Sequence, residues 1–384
     1  MQLSPHPHYD SVIVGARCAG AFTALHLARG GQRVLVVDRD RPGTDTLSTH
    51  ALMRLGVTLL DEAGVLPDII GADTPAVRKT VFTYGGERVS VDVAPKGRAG
   101  GLYAPRRHVL DRILVDAARA AGAAVIFRTS FVRLIKSHDG RVIGVILRMP
   151  DGSLQEVRCD TLIGADGRAS AVAEATGAEV IRTSQHATAS VYSYVESPGC
   201  QSYEWLYGPG TMAGLIPTNG GLACAFASVP RGELVSPSKT EPFGLLQRAF
   251  RDCGAEADLL PGRPVERIRR FAGAPGHIRQ ATGRGWALVG DAGYFKDPAT
   301  AHGITDALRD AWALARALLQ GSAGALRAYG EERDALSIPF FDVTDRIASL
   351  DWSLEEVRAL HIDLHQVMRA EQEAVLGGQR KSAA

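Results

Sequence analysis

The sequence predicts an α/β protein, α+β overall: a parallel-sheet domain interrupted by an antiparallel β-sheet and closed by C-terminal helices. Three observations carry that expectation. A compact βαβ pattern fills the first forty residues. Two later apolar runs, 161–163 and 286–289, each break at a glycine with an aspartate close behind. Between these motifs, Gly85-Gly86, Asp139-Gly140 and Asp151-Gly152 mark tight turns between β-type stretches. With 384 residues the chain exceeds what one hydrophobic core usually supports. Apolar residues at 45% and charged residues at 22% exclude a disordered, collagen-like or coiled-coil chain. Lys and Arg number 43 against 42 Asp and Glu, a balance that argues against nucleic acid as a partner. Five scattered cysteines without a CxxC pair predict neither a disulfide framework nor a structural zinc, and no metal. No apolar run reaches the ~18–20 residues of a membrane span, and Met1 to Tyr9 lack a signal-peptide pattern. The expectation is a cytoplasmic protein with no membrane span. The 42 glycines are the unusual count, and their positions carry the functional reading.

Ser11-Val12-Ile13-Val14 is a continuous apolar run that stops at Gly15. Ala21 to Arg29 suits a helix, Gly30-Gly31 ends it, and Val34 to Val37 forms a second run ending in Asp38. Continuous apolar strands joined by a crossover helix imply a Rossmann-like unit, with a parallel sheet covered on both faces. Gly15 permits the tight strand-to-helix turn, and Gly20 lets the helix pack closely on the sheet. A pyrophosphate then sits on the helix N-terminus, where free N–H groups and the dipole favour an anion. Asp38 stands where a carboxylate accepts hydrogen bonds from adenosine ribose hydroxyls. Arg17 replaces the middle glycine of the usual pattern, and its side chain either crowds the phosphate or pairs with it.

Two further motifs repeat the arrangement. Thr161-Leu162-Ile163 breaks at Gly164-Ala165-Asp166-Gly167-Arg168-Ala169-Ser170, and Trp286-Ala287-Leu288-Val289 breaks at Gly290-Asp291-Ala292-Gly293. The second continues through Asp297-Pro298 and His302-Gly303-Ile304 into a helix-compatible stretch, Thr305 to Leu319. Acids at such strand ends, here Asp166 and Asp291, bind ribose or ribityl hydroxyls, and the next helix start offers N–H groups to an anion or a flavin carbonyl.

Together the three motifs resemble those of FAD-dependent monooxygenases of the para-hydroxybenzoate hydroxylase-like fold, across residues 9–345. Flavin-dependent halogenases and geranylgeranyl-reductase-like oxidoreductases share that fold, so fold and reaction are separate questions. The resemblance implies FAD as cofactor. Gly15, Ala16 and Gly20 would hold its pyrophosphate, Asp38 the adenosine ribose and Asp291 the ribityl chain. Pro298, Gly303 and Ile304 would border the isoalloxazine ring. Arg107 matches a polar position that reaches FAD, Val132 a backbone contact to adenine, and Arg39 an adenine neighbour.

The motifs are far apart, so the FAD-binding domain is expected to be discontinuous, over 1–76, 105–185 and 266–335. Residues 77–104 and 186–265 would form a substrate-binding β-sheet domain, and 336–384 a helical segment. β-type stretches at Ser190–Val195, Ser202–Tyr207, Met212–Pro217 and Leu222–Val229 carry aromatic residues. Of these stretches, Tyr192, Tyr194, Trp205 and Pro217 are candidate substrate contacts. Alternating aromatics also simply pack a sheet. In the tail, Ser353 and Glu356 form a capping box ahead of an apolar stripe, Leu354 to Met368. His361 and His365 lack the glutamate of a zinc-protease motif.

The resemblance leaves three reactions open. A monooxygenase inserts one oxygen atom from O2 into a small hydrophobic or aromatic substrate through a flavin C4a-hydroperoxide. A halogenase oxidises halide and relays it through a lysine, and an ene-reductase delivers hydride to an alkene. Halogenases of this fold carry GWxWxIP in the substrate sheet, where this chain has Thr211-Met212-Ala213-Gly214-Leu215-Ile216-Pro217. The missing tryptophans favour the monooxygenase over the geranylgeranyl-reductase type and the halogenase, and Lys79 is out of register for a relay. An FAD-binding protein without turnover is a further alternative. No second nucleotide motif exists, so electrons would come from NAD(P)H directly or from a partner flavin reductase. His50 is the candidate catalytic residue, as acid, base or substrate ligand; Lys296 and His302 are weaker candidates.

Overall fold

The computed structural model describes residues 7–197, 199–235, 241–256, 258–260, 262–322 and 324–382. The chain opens with strand β1 (His8–Val14), helix α1 (Cys18–Arg29) and β2 (Val34–Asp38). Helices α2 (Arg54–Glu62) and α3 (Leu66–Gly71) lead to the hairpin of β3 (Lys79–Tyr84) and β4 (Glu87–Asp92), which turns at Gly85-Gly86. Next come α4 (Arg107–Ala120), β5 (Ala124–Phe127) and the meander of β6 (Ser130–Lys136), β7 (Val142–Arg148) and β8 (Leu154–Gly164). The sequence pattern separates Leu154–Arg158 from Thr161–Ile163. The structure fuses them into one eleven-residue strand. Its first half therefore pairs antiparallel with β7 and its second half parallel with β1.

After α5 (Ala171–Thr176) and β9 (Val180–Thr183) comes an antiparallel run: β10 (Thr188–Glu196), β11 (Ser202–Gly208), β12 (Thr211–Pro217) and β13 (Leu222–Pro230). Helices α6 (Arg231–Val235) and α7 (Pro242–Asp252) follow, then the short strands β14 (Arg269–Phe271), β15 (His277–Arg279), β16 (Thr282–Gly283), β17 (Trp286–Leu288) and β18 (Tyr294–Phe295). Helices α8 (Gly303–Gln320), α9 (Ala325–Ala348) and α10 (Leu354–Ser382) finish the chain. The capping box is made: Ser353 N donates to Glu356 Oε2 at 2.7 Å, and Glu356 N donates to Ser353 Oγ at 3.2 Å.

Among the described residues the strands form three sheets. An eight-stranded sheet has the order β16-β17-β8-β1-β2-β5, with β7 and β6 branching from β8. A seven-stranded sheet runs β14-β10-β13-β12-β11-β3-β4, so both β-rich insertions join one layer. A small sheet pairs β18, β15 and β9. Period-two alternation divides the seven-stranded sheet. Val191, Leu206, Leu215, Ala225 and their neighbours pack on α7 through Leu245, Leu246, Ala249 and Phe250. The opposite face, with Tyr192, Tyr194, Tyr203, Trp205 and Tyr207, joins the core of α1, α2, α4 and α8.

Candidate active site

Parallel pairing brings the three motifs to one edge. β8 lies between β17 and β1, and β1 lies beside β2, with Leu288 opposite Gly164 and Val14 opposite both Gly164 and Val37. Backbone bonds fasten that edge: Gly15 N donates to Val37 O, Ala165 N to Val14 O and Val289 N to Gly164 O. Gly15 has φ +109°, and a Cβ there would lie 2.2 Å from Ala165 O. A Cβ on Gly20 would lie 1.9 Å from Gly15 O. Gly15 is required both by its positive φ and by close backbone approach, Gly20 by close approach alone.

Asp38 ends β2 and is buried. Its Oδ2 accepts from Ala16 N at 2.7 Å and its Oδ1 from Asp40 N at 2.8 Å. A cleft of about 310 Å³ opens here, lined among others by Ala16, Arg17, Asp38, Asp40, Arg112 and Phe127. Arg17 and Asp40 both line the cleft, and the Arg17 guanidinium meets Asp40 at 3.0 Å. Arg39 is exposed and is not part of the lining. Val132 falls at a register shift between Phe131 and Arg133, so it stands outside the β6–β7 ladder and also outside the cleft lining. Arg107 is buried at the start of α4 and meets both carboxylate oxygens of Asp111 at 3.1 Å. Asp111 in turn accepts from Cys18 N at 3.1 Å, which ties α4 to the first turn of α1.

The two later acids have different surroundings. Asp166 Oδ1 accepts from Ser170 Oγ at 2.5 Å, and its Oδ2 accepts from Val172 N at 3.1 Å. Its carboxylate thus braces the start of α5, a structural use that the strand-end position alone does not disclose. Asp291 is different. Burial pushes its carboxyl up to about 6, against the opposing charges of Arg107 and Lys296. Beyond it, Pro298 and Gly303 are exposed while Ile304 is buried, and a Cβ on Gly303 would meet nothing within 4 Å. Open space therefore lies at the start of α8, next to the exposed Pro298 turn.

Lys296 and His302 point into protein rather than toward that space. Lys296 pairs with Asp306, and His302 Nε2 lies 3.0 Å from Glu371 Oε2 on α10. Arg309 reaches Glu371 Oε1 at 2.6 Å. On distances alone His302, Asp306 and Glu371 suit a metal ion. Lys296 and Arg309 already supply their counter-charge, so the cluster is explained as a buried ion network.

The inward face of the seven-stranded sheet forms cross-strand rows. In one, Arg269, Tyr192, Phe226, Gly214, Trp205 and Phe82 stand directly opposite one another on successive strands. In the neighbouring rows are Tyr194, Cys224 and Ile216, and Ser228, Met212, Tyr207 and Tyr84. A Cβ on Gly214 would lie 2.5 Å from the Phe226 ring. The position that holds a tryptophan in the halogenase pattern is thus filled by the Phe226 ring. Pro217 is placed differently from the expectation. Its partner Ala223 belongs to the face packed on α7, and odd positions of β12 share that face. Lys79 is exposed, and by the same alternation it points away from the side of Phe82.

His50 lies between the two layers, 1% exposed and with φ 69°. Its Nε2 bonds to the Tyr194 hydroxyl, and its Nδ1 is buried without a hydrogen-bond partner among the described residues. Burial, reinforced by the charges of Arg107 and Arg106, holds its pKa well below the usual imidazole value. His50 is therefore neutral at physiological pH. Ser48 N donates to the Tyr192 hydroxyl at 3.3 Å, so two tyrosines pin this segment to the sheet. Sequence reasoning overlooked Arg106, whose guanidinium lies 4.0 Å over the Tyr194 ring and pairs with Glu266 at 2.6 Å and 3.0 Å. The only signal for it was its place beside Arg107.

Such a fold, with three glycine-marked strand ends beneath an aromatic sheet, defines a flavin-dependent oxidoreductase. Residues 8–340 match the family described as "FAD binding domain", and the chain belongs to that family. It is 28% identical over 310 residues to digeranylgeranylglycerophospholipid reductase 2 of Methanococcoides burtonii, covering 78% of this chain and 72% of the relative. The structure of aklavinone-11 hydroxylase with FAD and aklavinone is 25% identical with a TM-score of 0.73, covering 89% of this chain and 68% of that one. The flavin-dependent brominase Bmp2 has a TM-score of 0.77 at 16% identity, covering 97% and 94%, a likeness of fold alone. The residues present fit FAD: a cleft at the Asp38 end, a strand-to-helix turn kept tight by Gly15 and Gly20, and open space over Gly303.

Proposed function

We propose that the chain is an FAD-dependent monooxygenase that inserts one oxygen atom from O2 into a small hydrophobic or aromatic substrate. The observation that carries this reading is the aromatic inward face of the seven-stranded sheet, set against the layer that bears the three motifs. Bound FAD supplies the two-electron chemistry and the activation of O2. The chain's own residues supply place and polarity. Ala16, Gly15 and Gly20 seat the pyrophosphate, Asp38 takes the adenosine ribose, and Asp291 the ribityl chain. Pro298, Gly303 and Ile304 border the ring. Tyr192, Tyr194 and Trp205 present the inward, aromatic side of the sheet to substrate. His50 acts there as a neutral hydrogen-bonding group: Tyr194 holds Nε2 and leaves Nδ1 for a polar atom of the substrate.

The likeness to a digeranylgeranylglycerophospholipid reductase supports a second reading, hydride delivery to an alkene. Electrons come from NAD(P)H or from a partner flavin reductase. Five free cysteines suit the cytoplasm, and among the described residues no helix is long and apolar enough to cross a membrane. A role in secondary metabolism is part of this reading, supported by the likeness to an aklavinone hydroxylase. The test is anaerobic reduction of FAD-loaded protein by NADH or NADPH, with and without hydroxylated polycyclic aromatics, followed by O2. Faster bleaching of the flavin with an aromatic compound, and return of colour only with O2, is expected. Reoxidation by a prenyl alkene without O2 would replace this reading with the reductase.

A further inference from the structure

The cleft at the start of α1 carries a pair of opposite charges that the nucleotide pattern does not call for. Arg17 stands where that pattern has glycine, and its guanidinium meets Asp40 at 3.0 Å. Both side chains line the cleft, and both are about one-third exposed, at 33% and 39%. Asp40 is fixed from behind, because its N–H donates to Asp38 Oδ1 at 2.8 Å. Arg17 makes no side-chain bond to the helix that it begins. Its charge also bears on Asp111, which lines the same cleft. The first amides of the anion seat are held by acids of the chain itself, Ala16 N by Asp38 and Cys18 N by Asp111. Arg17 is thus a partly exposed cation beside carboxylates that backbone amides hold in place.

We propose that Arg17 and Asp40 form a latch: Asp40 holds the guanidinium on the rim, and the pyrophosphate of FAD takes it over on binding. A partly exposed ion pair is weak, whereas a guanidinium on a phosphate is a strong, geometrically specific contact, so the exchange runs toward the nucleotide. FAD affinity then reflects a competition between Asp40 and the pyrophosphate for one cation. The inference rests on FAD as cofactor.

FAD titration of flavin-free protein, read by quenching of flavin fluorescence, tests it in four proteins: wild type, Asp40→Asn, Arg17→Ala and the double variant. Asp40→Asn is expected to tighten FAD about two- to fivefold. Arg17→Ala is expected to weaken it about tenfold, and the double variant to match Arg17→Ala alone. An unchanged or weaker affinity in Asp40→Asn overturns the latch. So does a gain from Asp40→Asn that persists without Arg17, which is simple repulsion between an acid and the phosphates. Failure of the wild type to bind FAD overturns the cofactor reading itself, with the latch.

Discussion

His50 and Tyr194 show how much of the site depends on single polar atoms. Tyr194→Phe leaves Nε2 of a buried imidazole without its partner. The expected cost is about 1–3 kcal/mol in urea unfolding, and an unchanged midpoint would remove Tyr194 from this role. Asp291 gives a pH test. Its carboxyl titrates at about 6 because burial disfavours the charge, so acid below that value removes an acceptor for ribityl hydroxyls. FAD affinity should fall as pH drops through about 6, and Asp291→Asn should abolish that dependence. The motif positions of Asp291 and Asp166 were legible in the sequence, but their difference was not. Both follow a strand and a glycine, and only the fold shows that Ser170 and Val172 consume the Asp166 carboxylate. Arg106 was hidden for a similar reason, since its partners Tyr194 and Glu266 are distant in sequence.

At the scale of elements, α10 was legible as an amphipathic helix from its capping box and its stripe. Val357 and Leu360 are buried as that stripe requires. Glu371 continues the same face and is only 1% exposed, a charge at an apolar position that the pattern reads as a break. Its reason is tertiary: His302 and Arg309 meet it from the last motif. Burial alone would raise the Glu371 carboxyl, but His302 and Arg309 hold it down at about 2. Its stabilising contribution is complete above about pH 4.5 and is lost as pH falls toward about 2. Glu371→Ala should cost about 1–3 kcal/mol in chemical denaturation, because it removes a buried partner of His302 and Arg309 while Asp310 still pairs with the guanidinium. An exposed-residue effect, under ~0.5 kcal/mol, would show that α10 does not anchor the motif. Strand pairing puts Tyr192, Tyr194 and Trp205 on one face, and alternation along β12 puts Pro217 on the face opposite Met212 and Gly214.

The whole molecule joins distant segments of the chain through register. β17, β8, β1 and β2 lie side by side, so three motifs that seemed separate become one edge. Their glycines and acids made that edge readable, because backbone approach and ribose recognition each demand few residue types. The aromatic rows were not readable, because each row is assembled from up to six strands whose pairing no local pattern specifies. Ligand linkage follows from the same architecture. FAD at about a hundred times its dissociation constant should add about 2.7 kcal/mol of stability, seen as a rise in melting temperature. The central claim is oxygen insertion, and heavy-isotope O2 tests it most directly. FAD-loaded protein, its reductant and an accepted aromatic substrate should give a product carrying one labelled oxygen atom by mass spectrometry. A product that carries no label, or that instead gains two hydrogens, contradicts the account.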